Sequence, residues 1–151
     1  MEKINIRPAM RADSKAILKL IDELAEFEKL APPDSKGKRK LINDAFSEEP
    51  LFYVLLAEYD NMIIGYAFYF FTYSSFLAKK TLYLEDIFIS SEHRNKGIGK
   101  LFFNDLIKIA KKNKCGRMEW VVLDWNKNAI EFYSKLGAEE LKEWKTFRMK
   151  I

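Results

Sequence analysis

A chain of 151 residues is long enough for one domain with a real core, since a domain of this size buries roughly 70% of its unfolded surface. A hydrophobic content of 48% with mixed charge excludes a disordered chain. There is no apolar run of about 18 residues and no signal-peptide pattern, so the expectation is a soluble, cytoplasmic protein.

The net charge of +4 suits an anionic ligand or a nucleic acid and does not advertise a polycationic substrate. The single Cys115 rules out an intrachain disulfide and reads as a buried structural thiol. The only histidine, His93, falls in a polar turn and reads as a solvated loop residue, so no metal site is expected.

In chain order, Lys3 to Arg7 alternates as a first strand that Pro8 ends. Asp13 stands at the N-cap position of a helix carrying Ile17, Leu20, Ile21, Leu24 and Phe27 on one face, and Pro32-Pro33 stops it. Ser35 to Phe46 predicts a second, shorter helix, whose cluster Lys36 to Lys40 reads as a solvated face more readily than as a nucleic-acid site. Phe52 to Tyr59 and Met62 to Tyr73 are strands joined by a tight turn at Asp60-Asn61. The second of them is aromatic on both faces: Tyr66, Phe68 and Phe70 on one, Tyr69, Phe71 and Tyr73 on the other. Both sides should therefore be covered, and the hydroxyls of Tyr69 and Tyr73 need polar partners.

The stretch from Tyr83 to Lys100 organises the chain. It reads as a buried strand ending in Phe88-Ile89, a polar turn, and a Gly97-Ile98-Gly99 that opens a helix running to about Lys112. The start of a helix offers backbone N–H groups without partners, and glycine lets an anion approach them closely. Arg94 can add a charged fork to a phosphate. A dinucleotide fingerprint fails because Phe102 stands where its third glycine belongs, and no Walker lysine follows. Downstream, Arg117 to Leu123 predicts a strand, Asn126 to Leu136 a helix stopped by Gly137, and Ala138 to Leu141 with Thr146 to Ile151 a closing pair of strands. Strands and helices thus interleave around one mixed sheet, in a single α+β or α/β domain over residues 1–151.

Arg94-x-x-Gly97-x-Gly99 after that strand, followed by Trp125-Asn126-x-x-Ala129-x-x-Phe132-Tyr133-x-x-Leu136-Gly137-Ala138, closely resembles the GCN5-related N-acetyltransferase family. Leu82 to Ile89 and Asp124 to Tyr133 resemble its diamine (spermidine/spermine) acetyltransferase branch, and the likeness runs from Ile6 to about Phe147. The resemblance implies a mostly antiparallel sheet with helices on both faces, whose middle strands splay apart to admit acetyl-coenzyme A. It also implies a homodimer and a small-molecule amine substrate.

Acetyl transfer from a thioester to an amine needs a neutral amine, donors for the oxyanion and a proton for the leaving thiolate. An amine like that of lysine titrates near about 10.4, so a carboxylate must take its proton. The resemblance favours Glu85 for this, supported by Asp86, although neighbours in a regular strand point to opposite faces unless a bulge intervenes. It carries the general-acid role onto Tyr133. Asn126 caps its helix, contacts the pantetheine arm, or does both, with Ala129 beside it. Ile87, Phe88 and Ile89 should pair with the pantetheine as an added strand would, and the backbone of Asn95, Lys96, Gly97, Ile98, Gly99 and Lys100 should cradle the pyrophosphate.

For the amine, Phe27-Glu28 stands where the diamine enzymes carry Tyr-Glu, and Ser74 where polyamine-specific members are expected to carry Asp. Glu119 and Glu143 fall in segments that resemble substrate-side positions. The expected activity is acetyl-coenzyme A-dependent N-acetylation of a diamine, polyamine or lysine-like amine. The alternatives are a protein or amino-acid N-acetyltransferase and a coenzyme A-binding module without turnover.

Overall fold

The computed structural model describes residues 3–151, which divide into two compact units, one ending at Trp120 and the other Val121–Ile151. The first holds a five-stranded sheet in the order β1-β2-β3-β4-β5: β1 Asn5–Pro8, β2 Tyr53–Tyr59, β3 Met62–Ser74, β4 Lys79–Ile89 and β5 Arg117–Glu119. The first four pair antiparallel, and β5 joins β4 in parallel. This unit also contains α1 Ser14–Glu28, α2 Ser35–Ala45 and α3 Ile98–Lys112. The second unit carries α4 Lys127–Lys135.

Local chemistry explains most of the boundaries. Asp60 and Asn61 both take left-handed backbone angles, φ 48° and 60°, which the two-residue turn between β2 and β3 demands. Asp34 caps α2 by accepting the N–H of Gly37 at 2.7 Å. Asp13 stands at the N-cap of α1, but its carboxylate does other work: Arg7 donates to both oxygens at 2.9 Å, and the Met10 N–H donates at 2.8 Å. The Arg7 Nε also reaches Glu58 at 2.6 Å, so one guanidinium ties β1 to β2 and to the start of α1. That contact holds the Asp13 carboxyl below the usual range. Helix α1 ends at Glu28 with Lys29 left-handed, before the prolines are reached. In α2, Lys38 pairs with Asp22 and Lys40 with Asp44.

The aromatic strand β3 separates two layers. On one face Tyr66, Phe68 and Phe70 pack with Ile17, Leu20 and Ile21 of α1 and with Val54, Leu56 and Phe88. On the other, Leu55, Ala57, Ala67, Leu82 and Leu84 are buried, and α3 covers that side with Ile98, Phe102 and Leu106. The expectation that both faces are covered along the whole strand fails at its end. Tyr73 is 67% exposed and Phe76 wholly so, because the β3–β4 hairpin runs on past the helices.

Two further expectations are corrected. β5 spans three residues rather than seven, and residues 138–151 form no strand. The alternating apolar residues Phe147, Met149 and Ile151 read as a strand, but a strand exists only where a ladder partner receives it, and here all three are exposed. Cys115 is half-buried, with burial pushing its thiol up.

Gly65 on β3 lies where the backbone of β4 comes closest. A Cβ there would stand 2.9 Å from the Phe88 carbonyl oxygen and 3.3 Å from Ile89 Cγ1. Gly65→Ala is expected to destabilise the protein by about 1–3 kcal/mol, as forced overpacking does, read as a lower urea midpoint at unchanged slope. An unchanged midpoint would mean that the two strands part without cost.

Candidate active site

Strand β4 does not pair evenly with β3. Leu84 stands opposite Tyr69 and Asp86 opposite Phe68, which leaves Glu85 as an extra residue in a β-bulge. Tyr83, opposite Phe70, and Asp86, opposite Phe68, therefore share the α1 face although they are three residues apart. A regular strand would separate them. The slip breaks the alternation that would otherwise send the adjacent carboxylates of Glu85 and Asp86 to opposite faces, and the charge of Glu85 acts on Tyr66, Tyr83 and Asp86.

Around the bulge the face is acidic. The Tyr66 hydroxyl, on a fully buried side chain, donates to Asp86 Oδ2 at 3.1 Å. Burial pushes the Asp86 carboxyl up to about 6; the Tyr66 hydrogen bond works against this, and the charges of Glu85 and Glu28 add to it. Burial likewise raises Glu28, the last residue of α1. Tyr66 is pushed well above the ordinary phenol, first by burial and then by Asp86, so it remains a donor. Glu119 lies opposite Tyr83 on β5 and pairs with Arg117 at 3.2 Å. Glu28, Glu85, Asp86 and Glu119 thus gather on one face, which favours a cation.

Phe27, next to Glu28, is partly exposed and packs on Phe88. Ser74 is not brought here. It lies at the far end of the hairpin, about 23 Å along β4 from Asp86 by strand geometry, and accepts the Leu77 N–H at 3.1 Å. Of the tyrosine hydroxyls, the pattern of β3 directed attention to Tyr69 and Tyr73 and missed Tyr66. The available signal was its place, one residue after Gly65, opposite the end of the Leu82–Ile89 stretch.

Beside the carboxylates the sheet opens. Pairing between β4 and β5 stops at Tyr83, whereas β4 continues to Ile89, so Ile87, Phe88 and Ile89 lie beyond the end of the β5 ladder. The chain then makes a short 3-10 turn at Ser91–His93 and enters α3. Asn95 and Gly97 both take left-handed angles, φ 62° and 77°, on either side of Lys96. Such a turn directs successive N–H groups into a concavity that binds anions. Gly97 is the N-cap of α3 and has no side chain to satisfy the helix start, so the first-turn amides of Ile98, Gly99 and Lys100 are available to a ligand. Nothing lies within 4 Å of a Cβ built on Gly97.

Arg94 stands at this turn and contacts the protein itself. Its Nε donates to the Ile89 carbonyl at 3.0 Å, and its guanidinium lies over the rings of Phe27 and Phe88, 4.9 and 5.3 Å from their centroids. His93, half-buried in the turn, has partners there: its Nδ1 pairs with Ser90 Oγ at 2.9 Å and its ring lies against Tyr59. With Lys96, Ile4, Ile64 and Ile98 these two rings line a cavity of about 210 Å³.

In the second unit, Asn126 Oδ1 accepts the Ala129 N–H at 3.4 Å, which is the capping role. Tyr133 lies on α4 with its ring beside Phe132, and its carbonyl accepts the N–H groups of Leu136 and Ala138 as Gly137, φ 88°, turns the chain. Glu143 is exposed.

The sequence profile of the acetyltransferase (GNAT) family matches residues 17–138. The chain is 36% identical to thialysine N-epsilon-acetyltransferase of Sus scrofa over 98% of its own length and 93% of the relative's. It is 47% identical to an L-ornithine N5-acetyltransferase of Arabidopsis thaliana, across 60% of this chain and 40% of that one. In structure it superposes on a possible acetyltransferase from Clostridium difficile 630 with a TM-score of 0.84 and 21% identity, covering 98% and 97% of the two chains. An integron cassette protein of V. cholerae gives a TM-score of 0.80 at 25% identity, over 97% of this chain and 92% of the other. The chain belongs to the acetyltransferase (GNAT) family.

Proposed function

We propose that this protein is an acetyl-coenzyme A-dependent N-acetyltransferase for the primary amine of a small cationic molecule, a lysine-like or ornithine-like amine or a short diamine. The observation that carries the reading is the bulge at Glu85, which gathers Glu85, Asp86 and Glu28 on one face beside an open strand edge. Names of relatives support the class of amine: thialysine and L-ornithine acetyltransferases, and a human spermidine/spermine N(1)-acetyltransferase-like protein.

The residues fit the co-substrate. The turn at Asn95–Gly97 and the amides of Ile98, Gly99 and Lys100 suit a diphosphate, and the edge of Ile87, Phe88 and Ile89 suits an extended arm with amide groups. Acetyl-coenzyme A supplies the acetyl thioester. Glu28 and Glu85 attract the substrate ammonium, Glu85 and Asp86 provide the carboxylates that neutralise it, and Glu119 adds charge at the rim. Phe27 gives the site an apolar wall. Tyr133 is the proton donor to the departing sulfur, with Asn126 and Ala129 setting the start of its helix. Glu143 belongs to the substrate side by resemblance.

The protein acts in the cytoplasm as a homodimer in this reading, which the exposed Tyr73, Phe76 and Leu77 at the hairpin end support. Among the described residues, no helix is long and apolar enough to cross a membrane and no group of three ligating residues could hold a metal ion.

Thiol release from acetyl-coenzyme A should be fastest with lysine-like amines and short diamines, with kcat/KM exceeding that for spermine by about tenfold, or about 1.4 kcal/mol. The acidic face is compact, Ser74 lies away from it, and the net charge of +4 opposes a polycation at long range. A strong preference for spermine would contradict this choice of substrate while leaving acetyl transfer in place. Tyr133→Phe should keep the fold and most of the co-substrate affinity and lower turnover by roughly 10²–10⁴. Turnover equal to wild type would return Tyr133 to a packing role.

A further inference from the structure

We infer that Asp86, held by the hydroxyl of Tyr66, is the carboxylate that takes the proton from the bound ammonium, and that Tyr66 is the residue that positions it. The inference rests on the amine N-acetyltransferase reading and decides between the two carboxylates that reading leaves available.

The two differ in surroundings. Glu85 is the extra residue of the bulge and lies exposed, so it can meet an incoming cation in water. Asp86 is the next residue inward, and its Oδ2 receives the Tyr66 hydroxyl at 3.1 Å. Tyr66 is wholly buried among Ile17, Leu20, Val54, Leu56 and Phe88, which fixes where its hydroxyl points. A phenol with no access to bulk water must donate its hydrogen bond to a neighbour, and the neighbour is this carboxylate. Asp86 is therefore oriented before any substrate arrives, which is what a proton acceptor in a preorganised site requires.

The charged groups around Asp86 are few. Tyr66 faces it from β3, Glu85 adjoins it on β4, and the charge of Glu28 reaches it from α1. Arg94 is held over Phe27 and Phe88, Glu119 on β5 lies opposite Tyr83, and α3 packs on the sheet through Ile98, Phe102 and Leu106. Burial, with two neighbouring carboxylates adding to it, pushes Asp86 up to about 6, close to neutrality, where a base both accepts and returns a proton readily. The step is a proton transfer: one N–H bond of the ammonium breaks, its electron pair stays on nitrogen, and the proton passes to an Asp86 oxygen and later to solvent.

The sign of the test follows from this arrangement. Asp86 works as the anion, so kcat/KM for the amine should fall on the acid side with a midpoint near 6 in the wild type. The Tyr66 hydrogen bond favours the anion, so Tyr66→Phe should move that midpoint upward by about one pH unit or more, since a hydrogen bond to a charged group is worth that much. The fold-loss in kcat/KM should therefore be largest below pH 6, about tenfold, and shrink above pH 8, with the KM for acetyl-coenzyme A little changed and the fold retained at a melting temperature only a few degrees lower. A purely structural role for Tyr66 would lower activity equally at every pH. Asp86→Asn is the second arm: it keeps the shape of the side chain, should remove the acid limb and should cost roughly 10²–10⁴ in turnover.

Superimposable limbs in wild type and Tyr66→Phe, or an acid limb that survives Asp86→Asn, would overturn the inference while amine acetylation stands. Absence of turnover by the wild type with every lysine-like amine and diamine would sink the acetyl-transfer reading, and this inference with it.

Discussion

One residue too many on β4 sets the chemistry of this protein. In a regular antiparallel ladder Glu85 and Asp86 would lie on opposite sides of the sheet, one against α1 and one against α3. A carboxylate buried in the α3 layer, among Leu82, Leu84, Ile98 and Phe102, would face an apolar core with nothing to compensate its charge. The slip between Phe68 and Tyr69 avoids that penalty and concentrates negative charge on the α1 side instead. Tyr66 then satisfies the more deeply placed carboxylate from below. The cost is electrostatic, since Glu28, Glu85 and Asp86 repel one another, and the ammonium of the proposed substrate would relieve it.

In the proposed reading the same strand serves the other half of the reaction. Its pairing with β5 ends at Tyr83, just before the bulge, so the segment that turns carboxylates to one face also leaves its own edge open. Beyond it the chain turns through Asn95 and Gly97 and presents the start of α3. Acid for a cation, an open edge for an extended arm and amides for phosphates follow in that order along fewer than twenty residues. In the proposed reading this ordering reconciles a net charge of +4 with a cationic substrate: local geometry outweighs the long-range field at contact distance.

Much of the fold was legible in the sequence because local signals agreed with the tertiary result. The Asp60-Asn61 turn, the glycine opening of α3 and the Gly97-to-Lys112 periodicity each specify one local conformation. The closing strands at residues 138–151 were misread because alternation reports a candidate face and says nothing about whether an edge exists to receive it. The residue types of the proposed amine site, Glu28, Glu85 and Asp86, came from family likeness. Its geometry was not legible, because a bulge is a property of two strands in register and leaves no mark in either alone. For the same reason Tyr66 read as one aromatic among seven, and the stacking of Arg94 on Phe27 and Phe88 left no mark in the sequence.

The central claim is that the bulge brings Glu85 and Asp86 to one bound amine, and a double-mutant cycle on kcat/KM tests it most directly. Glu85→Gln, Asp86→Asn and the double variant should show losses that fall short of additivity by more than about 1 kcal/mol, because each carboxylate acts on the same ammonium. Losses that add within about 0.3–0.5 kcal/mol would mean that the two side chains work independently, and the account of the site built on their common face would be wrong.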